Sequence, residues 1–361
     1  MPRKLNFHAG PSTLPVEVLE ELQKNMVDFE GTGLSLIEES HRSATYEAVH
    51  NRAIELFREL FSVPENYDIL FLGGGATLQF AMIPMNFLPQ GKTAEYVATG
   101  TWSKKAIDDA KKLGSVRIIF DGKESGYTTL PDPASVKVDP ESAYLHITAN
   151  ETIGGLEWKD WPETGGVPLV CDMSSDILSR PVPVEKFALI YAGAQKNLGP
   201  AGTTVVILRK DMLDRIPDTL PAYLSYKNHA ANNSLYNTPP VFAIWTIKLV
   251  LEHMKKNGGL AAVAERNLKK AGLVYGVIDS SGGFYRSPVD ARYRSNMNIV
   301  FRLPSEELEK KFIDEAKAAG MIGLKGHRSV GGCRASLYNA MTLEGAEALA
   351  AFMKEFAAKN G

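Results

Sequence analysis

Cysteine is almost missing from this chain: Cys171 and Cys333 are the only two among 361 residues. They have neither C-x-x-C nor metal-ligand spacing, so a disulfide framework is excluded and a reducing, cytoplasmic setting is expected. Histidine is sparse too, with seven residues and no H-E-x-x-H pair, so no structural or catalytic metal is expected. No run approaches the roughly 18 apolar residues of a membrane span. The opening Met1 to His8 lacks the apolar stretch of a signal peptide, and a soluble chain is expected. Neither charge sign is in excess: 40 basic and 42 acidic residues leave a formal net charge of -2. That balance gives no global attraction to nucleic acid or an anionic membrane, so any positive field must be local. Repeats and low-complexity tracts are absent as well.

What is present is enough for a folded enzyme. The length exceeds the roughly 250 to 300 residues at which a single hydrophobic core stops growing, so two domains are expected. From Pro15, apolar residues at Leu19, Leu22, Met26 and Phe29 predict a helix, and Tyr46, Val49, Ala53, Leu56, Phe57 and Leu60 predict the next. Strands follow at 67–72, 95–99, 116–120, 143–148, 169–171, 188–191 and 203–208, with a helix over 104–113. This alternation predicts an α/β fold, a mostly parallel central sheet wrapped by helices. Beyond Asn257-Gly258-Gly259 the pattern changes. A helix over 260–277, the apolar run 298–301, a helix near 305–319 and a last helix from Leu343 predict a smaller α+β domain.

Ligands in such sheets lie beyond the carboxyl ends of the strands, and several chemically informative residues fall there. Lys196 interrupts the small, apolar stretch from Tyr191 to Pro200. Asp172 ends the buried strand Pro168 to Asp172 and precedes the hydroxyl-rich turn Met173-Ser174-Ser175. A lysine to bond an aldehyde and a carboxylate to keep a ring nitrogen protonated are the two groups that pyridoxal phosphate requires. A snorkelling surface lysine and a helix-capping aspartate are the alternative. Gly73-Gly74-Gly75-Ala76-Thr77 follows a strand and opens a helix, a place where backbone N–H groups bind phosphate. It is not a P-loop, since no Gly-Lys-Ser/Thr follows, and a plain glycine turn is the alternative. Trp102 can lie flat on a bound ring or serve as a core or interface tryptophan.

Several segments together go further: Ser40-His41-Arg42, Asn150-Glu151-Thr152-Ile153-Gly154-Gly155, Tyr191 to Gly202, Tyr236-Asn237-Thr238-Pro239-Pro240, and Leu324-Lys325-Gly326-His327-Arg328 with Tyr338-Asn339-Ala340. From Phe7 to the last helix the chain resembles the phosphoserine aminotransferase family, class-V pyridoxal phosphate enzymes of fold type I. The resemblance implies a homodimer with sites near the subunit interface. It implies a large domain over 16–258, with 1–15 and 259–361 forming the small one. Lys196 would bond the cofactor's aldehyde, Asp172 would pair with the pyridine nitrogen, Trp102 would stack on the ring, and Thr152 would bond the phenolic oxygen. Ala76, Thr77 and Gln195 would hold the phosphate, with the partner's Asn237 and Thr238 reaching it across the interface. Some members carry an arginine in the glycine-rich loop. This chain reads Gly75-Ala76-Thr77-Leu78-Gln79 and relies there on backbone amides and the Thr77 hydroxyl.

For substrates, the resemblance implies that Arg334 takes the α-carboxylate. His41 and Arg42, with the partner's His327 and Arg328, would take a distal phosphate or γ-carboxylate. Arginine suits both tasks because its planar fork makes two charge-assisted hydrogen bonds. The implied reaction is transamination of 3-phosphohydroxypyruvate by L-glutamate, giving O-phospho-L-serine and 2-oxoglutarate in serine biosynthesis, with a pyridoxine-pathway substrate as a further option. Competing readings are a serine–glyoxylate type aminotransferase, a cysteine desulfurase, or a noncatalytic protein that binds pyridoxal phosphate or another anion. A desulfurase needs a mobile, exposed thiol, whereas Cys171 adjoins Asp172 and Cys333 adjoins Arg334.

Overall fold

The structure, a computed structural model, describes residues 3–361. Seven strands form the central sheet in the spatial order Tyr67–Leu72, Thr204–Arg209, Leu189–Gly193, Leu169–Asp172, Leu145–Thr148, Thr93–Ala98 and Ser115–Asp121. Thr204–Arg209 runs antiparallel to both its neighbours, and every other pairing is parallel. The strands Leu145–Thr148, Leu169–Asp172 and Leu189–Gly193 are buried at every position. Continuous burial is what a strand covered by helices on both faces requires, and it explains their near-unbroken apolar runs.

The two-residue period of a strand sorts side chains onto opposite faces. Ile147, Cys171 and Ile190 pack on one face with Leu56, Phe57 and Leu251, from the helices Ala44–Phe61 and Val241–Lys256. Val170, Leu189 and Tyr191 pack on the other with Phe80, Ile83 and Ile107, from the helices Gly75–Phe87 and Thr101–Ala110. Each fully buried Leu or Ile contributes about 1.5 to 3 kcal/mol.

A third core gathers residues from the two ends of the chain. Phe7 packs with Val274, Phe301, Phe312 and Met353. The strand Leu5–Asn6 pairs in parallel with Met321–Ile322, and Asn298–Phe301 pairs antiparallel with Cys333–Ser336. The helices Gly259–Ser280, Glu306–Ala318 and Leu343–Asn360 cover these strands.

Two local expectations change. The helix begun after Pro15 covers only Val16–Lys24, because the Asn25 amide donates to the Glu21 carbonyl (3.1 Å) and ends it. Phe29 instead leaves the helix line and meets Trp245 edge-on, ring centroids 5.4 Å apart. The helix expected over 104–113 is Thr101–Ala110. Its start is drawn back by the Ser103 hydroxyl, which accepts from the N–H groups of Thr99 and Gly100, both at 2.9 Å. Trp102 therefore stands in the first turn of a helix rather than in a loop.

Candidate active site

The ends of the strands Leu169–Asp172 and Leu189–Gly193 and the start of the helix Gly75–Phe87 border a cleft of about 280 Å³. Lys196 lies in the turn after Leu189–Gly193. Its neighbour Gly10 has a left-handed φ of +132°, and a Cβ there would stand 3.3 Å from Lys196 Cγ, so this close approach requires glycine. The Lys196 backbone carbonyl also accepts from the Ser12 hydroxyl.

The side chain of Lys196 is buried, with 8% exposure, and Nζ donates to Thr152 Oγ1 at 2.6 Å. Burial lowers its pKa from 10.5 to about 8, against the opposing charges of Asp172 and Glu151, with Arg334 pushing the same way as burial. A lysine so placed is a competent nucleophile and proton carrier near neutral pH. Burial raises the Asp172 carboxyl, while hydrogen bonding from Ser174 and the charge of Lys196 counteract it. Asp172 Oδ1 accepts the Ser174 N–H at 2.8 Å.

Thr152 links the lysine to the cationic side of the cleft. Its carbonyl oxygen accepts from Arg334 Nη1 at 3.3 Å, and Arg334 Nε is buried without a partner. Arg334 stands on the strand Cys333–Ser336 opposite Val300. Burial lowers its pKa, yet a guanidinium keeps its proton in proteins. Across the cleft, the Trp102 ring centroid is 5.5 Å from Lys196 Nζ, with Lys105 Nζ at 4.7 Å. Glu151 fixes this tryptophan: its carboxylate accepts from Trp102 N (3.1 Å), Ser103 N (3.0 Å) and Ser103 Oγ (2.8 Å).

The helix Gly75–Phe87 meets the cleft with its N-terminus. It has no acidic residue in its first turn and no side-chain cap, and Gly74 and Gly75 have φ of 86° and 64°. The free first-turn N–H groups are thus open to an anion, with Ala76, Thr77 and Gln195 also on the wall. A flat heterocycle with an anionic tail fits these residues. Such a group, if bound, would have Lys196 to meet its aldehyde, the Asp172 carboxylate to meet its ring nitrogen and the helix start to meet its phosphate. Asn150 Oδ1, on the same wall, is buried without a partner and adds an unused acceptor.

The expected site residues divide into two groups. Ala76, Thr77, Trp102, Thr152, Asp172, Gln195, Lys196, His327 and Arg334 all line the one cleft. His41, Arg42, Asn237, Thr238 and Arg328 do not. Asn237 and Thr238 border a second depression of about 310 Å³ together with Gly73 and Tyr223. Arg42 and Arg328 are exposed.

His327 differs from what the resemblance implies about subunits, since it lines the cleft that holds its own chain's Lys196. The physical cause is a tight return of the chain. Gly326 N donates to Gly332 O (2.9 Å) and Arg334 N to Leu324 O (2.8 Å), which lays His327 beside Arg334. Burial and the charges of Arg334, Arg328 and Lys105 all lower the His327 pKa. Sequence reasoning did not single out Asn150, Ser174 and Ser175 as wall residues, although they lie inside quoted motifs. Ala9 and Gly10 reach the wall only through tertiary contact.

Neither cysteine lines the cleft. Both are buried free thiols whose pKa burial pushes up, the opposite of a sulfur-accepting thiol. Among the described residues, no group of His, Cys, Asp and Glu is arranged to hold a metal, and no helix is long and apolar enough to cross a membrane.

A family model described as class-V aminotransferase matches residues 4–349. The chain is 57% identical over 356 residues to the phosphoserine aminotransferase of Geobacillus kaustophilus (strain HTA426), covering 99% of each. It is similar to the solved structure of phosphoserine aminotransferase from Bacillus circulans subsp. alkalophilus, with a TM-score of 0.98, 53% identity and 99% of each chain covered. A structure of phosphoserine aminotransferase from Trichomonas vaginalis with bound pyridoxal phosphate matches with a TM-score of 0.89 and 39% identity, over 98% of this chain and 100% of that one.

Proposed function

Because the chain belongs to the class-V aminotransferases and, within them, to the phosphoserine aminotransferase family, we propose that it moves the amino group of L-glutamate to 3-phosphohydroxypyruvate, forming O-phospho-L-serine and 2-oxoglutarate. The observation that carries this reading is Lys196: buried, lowered to about 8, and held by a single neutral hydroxyl in a cleft that also contains Asp172 and Arg334. Pyridoxal phosphate, when bound, supplies an electron sink for negative charge at the substrate's α-carbon.

The residues divide the remaining work. Asp172 keeps a positive ring nitrogen favourable. Trp102 would lie against the ring, and the helix start at Gly75 with Thr77 and Gln195 would hold the phosphate. Lys196 Nζ, guided by the Thr152 hydroxyl, is the group that takes the proton from the donor's α-carbon as general base and then holds it as general acid. Arg334 orients the α-carboxylate so that the α-proton faces Nζ. His327, with the partner's His41 and Arg42, forms the distal anion site, and one such site serves both a γ-carboxylate and a phosphate. Arg328 adds positive charge at its rim.

A homodimer belongs to this proposal, with the partner's Asn237 and Thr238 completing the phosphate site. Supporting it, Val27, Leu34 and Ile37 on one segment and Tyr236 and Phe242 on another are exposed apolar residues. Trp245 touches both segments through Phe29 and Phe242. A functional division into 16–258 on one side, and 1–15 with 259–361 on the other, is supported by the pairing of Leu5–Asn6 with Met321–Ile322. A cytoplasmic setting agrees with two free thiols.

The test is a half-reaction screen followed by absorbance of the purified, cofactor-loaded protein. Glutamate and phosphoserine should convert it rapidly and alanine slowly. In turnover, 3-phosphohydroxypyruvate should be a far better acceptor than glyoxylate, and a preference for glyoxylate would sink the substrate assignment. Mixing Lys196→Ala with Arg42→Leu subunits tests the shared site. A heterodimer then has one undamaged site, and recovery of up to about a quarter of parental activity is expected for random exchange. No recovery despite proven exchange would return Arg42 to its own chain's site.

A further inference from the structure

Behind Asp172, on the face of the sheet covered by the helices Gly75–Phe87 and Thr101–Ala110, lies a polar group of side chains that the reaction as described leaves unused. Register pairs Thr148 with Asp172 and Asp172 with Tyr191, so three adjacent strands project these side chains from the same face. His146 is two residues before Thr148 and shares that face. The strands carrying His146 and Tyr191 are not neighbours, since Leu169–Asp172 runs between them. Even so, the Tyr191 hydroxyl is 2.9 Å from His146 Nε2. The tyrosine must therefore lie across the strand that ends in Asp172. His146 is itself held in place by stacking on Tyr96, with ring centroids 4.9 Å apart.

We propose that Tyr191, oriented by His146, is a positioning residue whose hydroxyl donates to Asp172 and keeps it a carboxylate facing the cofactor's ring nitrogen. This rests on the reading of the cleft as a pyridoxal phosphate site. Proton placement supports it. His146 is fully buried, and burial lowers its pKa to about 3, so the ring is neutral and carries one N–H. Nδ1 makes no hydrogen bond of acceptable geometry, and the influence of its own backbone offsets burial only in small part. A hydrogen on Nδ1 would be a buried, unpaired donor, whereas on Nε2 it has the tyrosine oxygen to bond. With Nε2–H donating, Tyr191 has its own hydrogen free for Asp172. Tyr191 and Asp172 stand opposite one another on adjacent strands and leave them on the same face, and the tyrosine is the smallest of the influences that favour the charged form of Asp172.

The experiment uses the holoenzyme loaded with pyridoxal phosphate carrying ¹⁵N in the ring. In Tyr191→Phe the ring-nitrogen resonance should move toward that of neutral pyridine and the cofactor Kd should rise about tenfold, the loss of one hydrogen bond to a charged group. At the same time kcat should fall by a similar factor, with KM for glutamate within twofold. His146→Gln should move the same resonance in the same direction and provides the reading if Tyr191→Phe does not fold. Phe80→Leu, which disturbs packing against Tyr191 (ring centroids 6.3 Å apart) and keeps both polar groups, should leave the resonance in place. An unmoved resonance in both polar variants overturns the proposal, as does an equal movement in Phe80→Leu or a ¹⁵N spectrum placing the His146 proton on Nδ1. If the protein takes up no labelled cofactor at all, the reading of the cleft fails instead.

Discussion

Lys196 and Lys270 are both buried lysines, and burial lowers both, to about 8 and about 7. What surrounds the ammonium separates them. Lys270, on the helix Gly259–Ser280, donates to the carbonyls of Leu337 (2.9 Å), Tyr338 (2.8 Å) and Met341 (3.0 Å). Three acceptors match the three hydrogens of an ammonium, while a neutral amine has only two, so this cage holds the charge against burial. Lys196 has one neutral hydroxyl partner and a cleft in front of it. A depressed pKa is therefore not by itself a sign of catalysis. Unspent hydrogen-bonding capacity that faces a cavity is the discriminating feature, and the lysine that is saturated is a structural clasp.

Exchanging the two lysines' fates is the strongest test of that contrast. Lys196→Ala should lose at least about 10³-fold in kcat, because nucleophile and proton carrier vanish together. Its unfolding temperature should not fall, since a poorly partnered buried lysine has been removed. Lys270→Met should do the reverse. The Tyr338 carbonyl keeps the Met341 N–H, but three hydrogen bonds from the ammonium are lost, and this costs roughly 3 kcal/mol or more, read as a lower unfolding temperature, with kcat per folded molecule within a few fold. Equal activity losses in the two variants would break the comparison.

Next in size are the arginines. Arg334→Leu should cost about 2 to 5 kcal/mol in kcat/KM for every amino acid, since all present an α-carboxylate. Arg42→Leu should lower kcat/KM for phosphoserine and glutamate steeply and that for alanine little. Parallel half-reactions at fixed ionic strength check this, and equal losses for alanine and phosphoserine would remove Arg42 from the distal anion site.

A smaller effect concerns protons. The rate at which the apoprotein captures pyridoxal phosphate should rise with pH around a midpoint near 8, where Lys196 loses its proton. Arg334→Leu should raise that midpoint, because Arg334 is one of the charges lowering Lys196, and Lys270→Met should leave it alone. Stability gives the smallest signal. Between about pH 8 and 10.5 the unfolded chain holds the Lys196 proton more tightly than the folded one. Apoprotein stability should therefore rise with pH in that window, by on the order of 1 kcal/mol per pH unit, and Lys196→Met should flatten the slope.

Much of this fold was legible because burial leaves a local period. The apolar runs at 67–72, 169–171 and 188–191 announced strands. The sheet's carboxyl ends then pointed to Asp172, Lys196 and the glycine turn at Gly73. The helix Val241–Lys256 escaped notice for the same reason in reverse: it buries nine residues spread around its surface, so its apolar run from Val241 to Leu251 is broken only at Thr246 and Lys248 and shows no clear period. The boundary at Thr101 was misjudged because the group that draws it back includes Glu151, which is distant in sequence.

By itself, then, the sequence determined the alternation of strands and helices, the strand-end positions of Asp172 and Lys196, and the motifs that mark the family. Tertiary structure alone decided which buried lysine is free to react, since the Lys270 cage comes from residues 337 to 341. It alone decided that His327 lies beside its own chain's Arg334, and that Tyr191 crosses a strand to reach His146. The reason is physical. Local pattern records how deeply a side chain is buried, while the hydrogen-bonding partner that gives a buried polar group its role is supplied by distant parts of the chain.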